Sequence, residues 1–487
     1  MAKIPELKEK VLNSAKSLEL GKYVWKYGIG PQMGYSFSTI HALAYSFIGF
    51  QTAYIATNWN PIYWNTACLI VNSGSLEEDS DKGTDYAKVA KALGDIISNG
   101  INISLIDINK SDFDFKPDVE NNQILFGLKA LSGLNGAAIA SIKEQRPFTG
   151  IKDFMKRCNL GKVAMLSLIK AGAFDNLDLK WAGNRKVIMG YYISIISEPK
   201  SKLTLQNFSK LIEKGLVPES LDFERRVFLF NKYLKSHKFK IYYELDAMSY
   251  NFYEQYFDLD DVEVLMGRCF VKQTIWDRIY KKCMDIARNW LAENQESVKN
   301  ELNQLLFKET WDKYAKGNTS AWEMDSLCFY HGEHELANVD KKRYGIIDFN
   351  KLPTEPEVDY FFKRNGKQIP IYKLFRIIGT VIAKNDAHSF VTLLTTEGVV
   401  NVKFTRDYYA MFAKQISEKQ EDGHKRVVEK SWFARGNMIM VTGYRREDMF
   451  IGKTYKNTTG HQLYKIEGVS EEGEILLRHD RYEAKAE

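Results

Sequence analysis

Between Gly28 and Trp64 an apolar stretch is interrupted by polar side chains at the spacing of a helix face. His41, Tyr45 and, less closely aligned, Thr52 lie four and seven residues apart, which puts them on one side of a helix. Leu43, Phe47, Phe50 and Tyr54 take the other sides. An imidazole and a phenol, with the amide of Gln51 nearby, suit contact with something flat and polar such as a nucleotide base. A helix apolar nearly all round is otherwise a buried one. A second kind of chemistry is offered by paired carboxylates. Asp258 with Asp260, and Asp112 with Asp114, each form the Asp-x-Asp that can hold two magnesium ions for phosphoryl transfer, although solvated turns account for both more simply. A third is offered by Gly133-Leu134-Asn135-Gly136, a tight turn that would present backbone N–H groups at a helix N-terminus. Such donors hold a phosphate whatever the base sequence.

The elements that must position these residues follow from periodicity. Residues 1 to 27 read as one amphipathic helix, with Ile4, Leu7, Val11, Leu12, Ala15 and Leu18 on one side. A helix from about Tyr86 to Ser98 ends at Asn99-Gly100, and residues 100 to 115 alternate like a strand. Residues 121 to 145 read as helix, glycine turn, helix: a helix-hairpin-helix in which Asn135 stands where a second glycine is usual and tolerates a left-handed backbone. Residues 178 to 320 are rich in aromatics and lysines and mostly helical in pattern. From Tyr372 onward the pattern turns to β: three strands in 374–404, a helical insert, then NMIMVTGYRRED and QLYKIEGVS. Five strands with a helix after the third make the pattern of an OB-fold barrel. On it Phe375, Phe390, Phe404 and Tyr444 could stack on single-stranded bases, and Lys384, Lys403, Arg445 and Arg446 could take phosphates.

Composition sets bounds. A chain of 487 residues, 45% of them hydrophobic, can bury several cores. A net charge of +6 permits nucleic-acid binding without arguing for it, and residues 371 to 487 hold 19 Lys+Arg against 16 Asp+Glu. The five cysteines, Cys68, Cys158, Cys269, Cys283 and Cys328, are scattered with no CxxC pair, so neither a zinc site nor a disulfide framework is indicated. The charged N-terminus is not a signal peptide, and no segment is apolar enough to span a membrane. A reducing, cytoplasmic setting is the expectation.

GYSFSTIHALAYSFIGFQTAYIATNWNPIYW, with its frame of Gly34-Tyr35, Phe37, His41-Ala42, Ala44-Tyr45, Gln51-Thr52 and Pro61, resembles the end of the fingers domain in C-family replicative polymerases, the alpha subunits of bacterial DNA polymerase III. Thr39 and Ile40 stand where that family has a lysine. Residues 161–177, GKVAMLSLIKAGAFDNL, are similar to the segment after the family's hairpin. WEMDSLCFYHGEHEL matches the linker that follows it at Glu323, Leu327, Phe329, Tyr330, His334 and Leu336. His331 and His334, with two glutamates, could suggest a metal site, but with no further ligand nearby a structural role is favoured. Gln304, Leu306 and Phe307 resemble the family's short sliding-clamp-binding peptide, within what reads as a continuous helix.

The resemblance implies a multidomain α + β chain, mostly α-helical first and ending in a β-barrel OB-fold. The end of the fingers would take residues 1–116, a helix-hairpin-helix DNA-binding region 117–180, a helical extension 181–320, a linker 321–370, the OB-fold 371–480 and a tail 481–487. It implies template-directed DNA synthesis from deoxynucleoside triphosphates. The Mg2+ ions would be bound mainly by a palm that this sequence lacks, on a separate palm-bearing chain, so that the chain is inactive alone. Tyr35, His41, Tyr45 and Gln51 would face the nucleotide or primer, while Gly133, Asn135 and Gly136 would hold duplex phosphates. The partners implied are primer-template DNA, the palm-bearing chain and the sliding clamp, in a compact split polymerase of viral or mobile-element type. The competing expectation is a non-catalytic DNA-binding replication accessory protein.

Overall fold

Ser17 ends the first helix earlier than its periodicity predicts. In the computed structural model, which describes residues 4–30, 39–74, 84–177, 184–364, 366–419, 425–456 and 460–481, α1 (Ile4–Ser14) stops short and Ser17 caps a second helix, α2 (Leu18–Val24), by accepting from Leu20 N–H. A π-turn, Trp25–Ile29, continues it. The polar residues of the apolar stretch do lie on a single helix, α3 (Thr39–Asn58). Asn60 and Pro61 then start α4 (Pro61–Ser73), with Asn60 accepting from Ile62 N–H at 3.0 Å. Tyr35, Gly34 and Phe37 lie outside the described residues.

The region that follows is built round one continuous core. Helix α5 (Tyr86–Ser98) buries Val89, Leu93 and Ile96. The expected strand over 100–115 shrinks to β1 (Asn102–Ile103), which joins β2 (Lys116–Asp118) and β3 (Gln123–Leu125) in the order β1-β3-β2. The helix expected before the glycine turn is a single 3-10 turn, Leu128–Ala130. After it come α6 (Gly136–Glu144), α7 (Ile151–Arg157), α8 (Lys162–Lys170) and α9 (Arg185–Ile196). Leu128, Ile139, Phe154, Leu168 and Phe174 fill their common interior.

Residues 203 to 306 form further cores of their own, and here the helical reading was incomplete. Between α10 (Phe208–Glu213), α11 (Asp222–Ser236), α12 (Ala247–Tyr256) and the long pair α13 (Gln273–Glu293) and α14 (Gln295–Tyr314) lies a four-stranded antiparallel sheet. Its strands are β4 (Lys238–Phe239), β5 (Tyr242–Leu245), β6 (Val262–Leu265) and β7 (Arg268–Lys272), in the order β4-β5-β7-β6. Helix α15 (Thr319–Leu327) returns the chain to the first core through Trp322 and Leu327.

The C-terminal region opens with a two-stranded ribbon, β8 (Val358–Arg364) and β9 (Lys367–Tyr372). A closed barrel follows: β10 (Phe375–Asn385), β11 (Phe390–Thr395), β12 (Gly398–Lys403), helix α16 (Arg406–Ala413), an inserted hairpin of β13 (Ile416–Lys419) and β14 (Lys425–Glu429), then β15 (Met438–Arg446) and β16 (Met449–Gly452). The ring runs β10-β11-β12-β16-β15 and closes through β15 onto β10. Only the β12–β16 contact is parallel. The fifth strand is therefore β16. The QLYKIEGVS segment forms β17 (Leu463–Val469), which lies outside the ring and pairs with β15 and β18 (Ile475–Arg478). Gly443 marks the closure, since it faces both Phe375 and Gly452 and a Cβ there would sit 2.0 Å from the Ile451 carbonyl oxygen. Helix α5 lies against β10 and β12, and Ile382 and Leu394 of the barrel join the first core.

Candidate nucleic-acid interface

The glycine turn is held by two residues with different tasks. Gly133 takes the left-handed backbone, with φ +84°, and comes so close to α8 that a Cβ would meet Val163 Cγ1 at 2.9 Å. Asn135 is extended, with φ −104°, and caps α6 by accepting from Ala138 N–H at 2.9 Å. The left-handed role expected of Asn135 thus belongs to Gly133, and the asparagine satisfies one of the helix's first amides. Gly136 opens α6 with nothing within 4 Å of where a side chain would be. A second turn, Cys158 to Gly161, precedes α8, and a groove of about 490 Å3 lies between the two turns, lined by Gly133, Asn135, Asn159, Gly161 and Lys162. Two helix N-termini and a lysine at one groove make a backbone-reading site for an anion.

On the barrel the expected residues divide. Phe404 and Tyr444 are buried, Phe404 within the barrel core against Phe433, so Phe404 is a core ring and not a free stacking platform. Arg445 is engaged by the chain itself: it donates to the carbonyls of Phe349, Leu352 and Glu447 and lies over the Phe349 ring at 4.5 Å. Lys384 pairs with Asp386 at 3.0 Å. Lys403 extends over the Phe390 ring and Arg446 over Tyr444. A groove of about 580 Å3 lies across this face, lined by His388, Lys403, Arg406, Tyr444 and Lys453 among others. Sequence reasoning missed Arg406 and Lys453, because one opens α16 and the other follows the short strand β16. Their signal was a cation immediately beyond a strand end, too common to single out.

Helix α3 carries His41 and Tyr45 one turn apart, their rings edge-on at 4.7 Å between centroids, with Gln51 two turns further on. Its side chains are exposed along most of its length, Tyr45, Phe47 and Phe50 among them.

Neither Asp-x-Asp has the environment of a two-metal site. Asp258 caps its own 3-10 turn, accepting from Asp260 N–H at 3.0 Å. Asp112 is ion-paired to Lys116 and Lys143; partial burial opposes its ionisation, yet the two ammonium groups hold its carboxyl well below the usual carboxylate range. Those cations would repel a metal ion. Among the described residues no three His, Cys, Asp or Glu side chains converge on a point, so the donors present do not fit paired magnesium ions.

A family model described as a helix-hairpin-helix motif matches residues 100–186. Over 99% of its length the chain is 40% identical to a probable DNA polymerase, YorL, of Bacillus subtilis, and equally to a DNA-directed DNA polymerase of Bacillus phage SPbeta. It spans 39% of the length of each. The DNA polymerase III subunit alpha of Thermus aquaticus is 39% identical over 29% of this chain and 11% of its own length. The chain is thus similar to part of each of these DNA polymerases.

The segment from Glu323 to Leu336 has a plain physical role. Glu323, buried on α15, accepts the backbone N–H groups of His331 and Gly332, each at 2.9 Å, and the guanidinium of Arg185 at 3.0 Å. Arg185 also holds Asp175 at 2.7 Å and the Lys170 carbonyl. His331 Nε2–H donates to the Ile103 carbonyl, and the Tyr330 hydroxyl meets Thr380 at 2.9 Å. His334 donates through Nε2–H to the Leu394 carbonyl and accepts Leu336 N–H at Nδ1. His331 therefore ties this segment to β1 of the first core, and His334 ties it to β11 of the barrel. The clamp-like segment is likewise engaged in the chain's own packing: Leu306 is buried, Phe307 packs on the first core and stacks on Trp311, and only Gln304 is exposed. A clamp peptide needs Leu306 and Phe307 free to enter a pocket, which this helix does not offer.

Among the described residues no helix is long and apolar enough to cross a membrane.

Proposed function

We propose that this chain supplies the nucleotide-facing helix and the DNA grip of a replicative DNA polymerase, with the metal-binding carboxylates on a palm outside these residues. The observation that carries the reading is the 40% identity to DNA polymerases over 99% of the chain, and the helix-hairpin-helix match and the closed barrel support it. His41 and Tyr45 face the incoming nucleotide or primer terminus, with Gln51 further along the same helix; Tyr35, outside the described residues, is assigned to the same task. The turn at Gly133, Asn135 and Gly136, together with Lys162, holds the phosphates of the newly made duplex through backbone N–H groups and one cation. The barrel groove at Lys403, Arg406 and Lys453, with Arg446 over the Tyr444 ring beside it, takes the single-stranded template. The reaction is attack of a primer 3′-hydroxyl on a deoxynucleoside triphosphate. Magnesium, when bound by the palm, supplies charge stabilisation; this chain's part is to position the base pair and the DNA. The relatives' greater length leaves room for such a palm, and an arrangement of two separate chains in a phage-type replication system, working in the cytoplasm, is the form we favour.

Primer extension with magnesium and deoxynucleotides tests the reading, using the chain alone and with whatever co-purifies from its host. Extension is expected only in the presence of a palm-bearing partner. His41→Ala should lower incorporation by the assembled enzyme at least ten-fold while leaving duplex affinity within about two-fold, corresponding to loss of a contact at the reacting end only. Retained DNA binding with no partner and no extension would instead make the chain a non-catalytic accessory protein. Equal loss of incorporation and duplex binding in the variant would remove His41 from the role given to it.

A further inference from the structure

The ribbon that leads into the barrel stands apart from every core. β8 and β9 pair only with each other, with Tyr360 opposite Ile371, Phe361 opposite Pro370, Phe362 opposite Ile369 and Lys363 opposite Gln368. Opposed residues share a face and successive residues alternate. One face therefore carries Tyr360, Phe362, Ile369 and Ile371, and the other Phe361, Pro370 and Lys363. Tyr360, Phe361, Phe362 and Ile369 are all exposed. A two-stranded ribbon with no packed face is marginal in water, and three successive aromatic residues on it bring no folding advantage while both faces stay wet.

Charge and position indicate what meets them. Residues 358 to 373 carry Lys363, Arg364, Lys367 and Lys373 against the single acid Asp359; Lys373 is answered by Glu357 at 3.0 Å. Rings interleaved with cations suit a polyanion with flat faces, whereas an apolar protein partner would need no such charge. At the ribbon's base the Tyr372 ring lies 4.9 Å from that of Tyr444, and Tyr372 N–H donates to the Tyr455 hydroxyl at 3.1 Å. Tyr444 also lines the barrel groove with Lys403, Arg406 and Lys453. Ribbon and groove are thus continuous.

We propose that the ribbon is a second binding surface for single-stranded nucleic acid, extending the barrel groove: bases leaving the groove stack on Tyr360 and Phe362, and Lys367, on the same face, takes a phosphate. The proposal rests on reading the barrel groove as a single-strand site. The full chain would be titrated by fluorescence anisotropy with labelled deoxythymidine oligonucleotides of about six and about twenty nucleotides, since one barrel of this type covers roughly 4 to 16. Oligouridine of the longer length tells DNA from RNA as the natural strand. Tyr360→Ser/Phe362→Ser should weaken the longer oligonucleotide about ten- to hundred-fold and leave the shorter one unchanged. Lys367→Glu should also weaken the longer one and lower the slope of its salt dependence by about one. Because these side chains are exposed, thermal unfolding should be unaltered. A twenty-nucleotide strand carrying 5-iododeoxyuridine, crosslinked to the unaltered chain, should mark Tyr360 or Phe362. Unchanged affinity for the longer strand in both variants, or crosslinks confined to the barrel, overturns the ribbon's role alone. An unaltered chain that binds neither length overturns the barrel reading and the ribbon with it.

Discussion

Helix α3 and the barrel both carry many aromatic rings, and they treat them oppositely. On the helix, Phe47 and Phe50 stand 61% and 69% exposed. In the barrel, Phe404, Phe412, Trp432 and Phe433 close over one another, and Phe450 is buried in the same core. The barrel completes its own interior, so its rings are answerable to stability. The helix does not, so its rings are answerable to whatever it meets. Aromatic content alone would have assigned both regions to the same task.

The largest effect should come from opening the barrel's interior. Phe404→Ala removes a ring that is 3% exposed and should cost about 3–5 kcal/mol, read as an early barrel transition in urea unfolding followed by tryptophan fluorescence. A loss below about 1 kcal/mol would mean that Phe404 is the free stacking ring its sequence context allowed, and the contrast with α3 would fail.

The joint between the barrel and the first core should be sensitive to acid. Burial pushes the His334 imidazole down from its ordinary 6.5 to about 4; the hydrogen bond to the Leu394 carbonyl opposes this, and the Lys341 ammonium adds to it. The folded state thus binds the proton less readily than the unfolded chain. The stabilisation is complete above pH 6.5 and is lost as pH falls from there towards 4, amounting to about 3 kcal/mol at its largest. His334→Gln keeps a donor without a titratable ring and should flatten the melting temperature across that window. A profile of unchanged steepness would place the acid sensitivity elsewhere. Glu335, the nearest other buried titratable group, would not account for it: burial raises its carboxyl above the ordinary value, although the Tyr330 hydroxyl works against that. Its contribution is present at low pH and fades as pH rises through the raised value, the opposite direction.

How far these outcomes could be foreseen depends on what pattern can encode. Alternation located β10, β11, β12 and β15, and spacing located α3, because long elements repeat their signal. β16 is four residues long and follows a turn in which Glu447 has φ +50°, too short to alternate visibly, whereas the longer β17 shows the stronger alternation. The sheet within 238–272 was missed for the same reason, its strands being two to five residues long. Burial was the harder matter. Phe404 and Phe390 have the same chemistry in the same barrel, but a strand with apolar residues on both faces does not announce which face is inside. The choice between Arg445, engaged by three carbonyls, and Arg406, lining the groove, depends on where the chain before the barrel crosses it. The Glu323–Arg185–Asp175 network joins residues 148 apart in sequence at its extremes, and no local signal could reveal it.

At the hairpin the comparison becomes one of backbone against side chain. Gly133→Ala puts a Cβ in a left-handed residue and against Val163, so a loss of about 1–3 kcal/mol is expected. Duplex affinity should fall with it, because the turn aims the amides of α6, whereas binding of a short single strand by the barrel should be unchanged. Parallel loss at both sites would mean that the two surfaces are not separable.

The smallest effect is the most discriminating. Phe47→Ser/Phe50→Ser on α3 removes two rings, twice as many as Phe404→Ala, yet should change the unfolding of this chain by no more than about 0.5 kcal/mol, as exposed substitutions do. In the assembled polymerase the same double variant should lower primer extension, because these rings, on the sides of the helix away from His41 and Tyr45, would seat α3 against what it meets. A loss of several kcal/mol in the chain alone would mean that α3 is buried in solution, and the nucleotide-facing role would fall with the contrast. A chain unaltered in stability and an enzyme unaltered in extension would leave the rings exposed but idle, and the search for what α3 meets would have to move to its other faces.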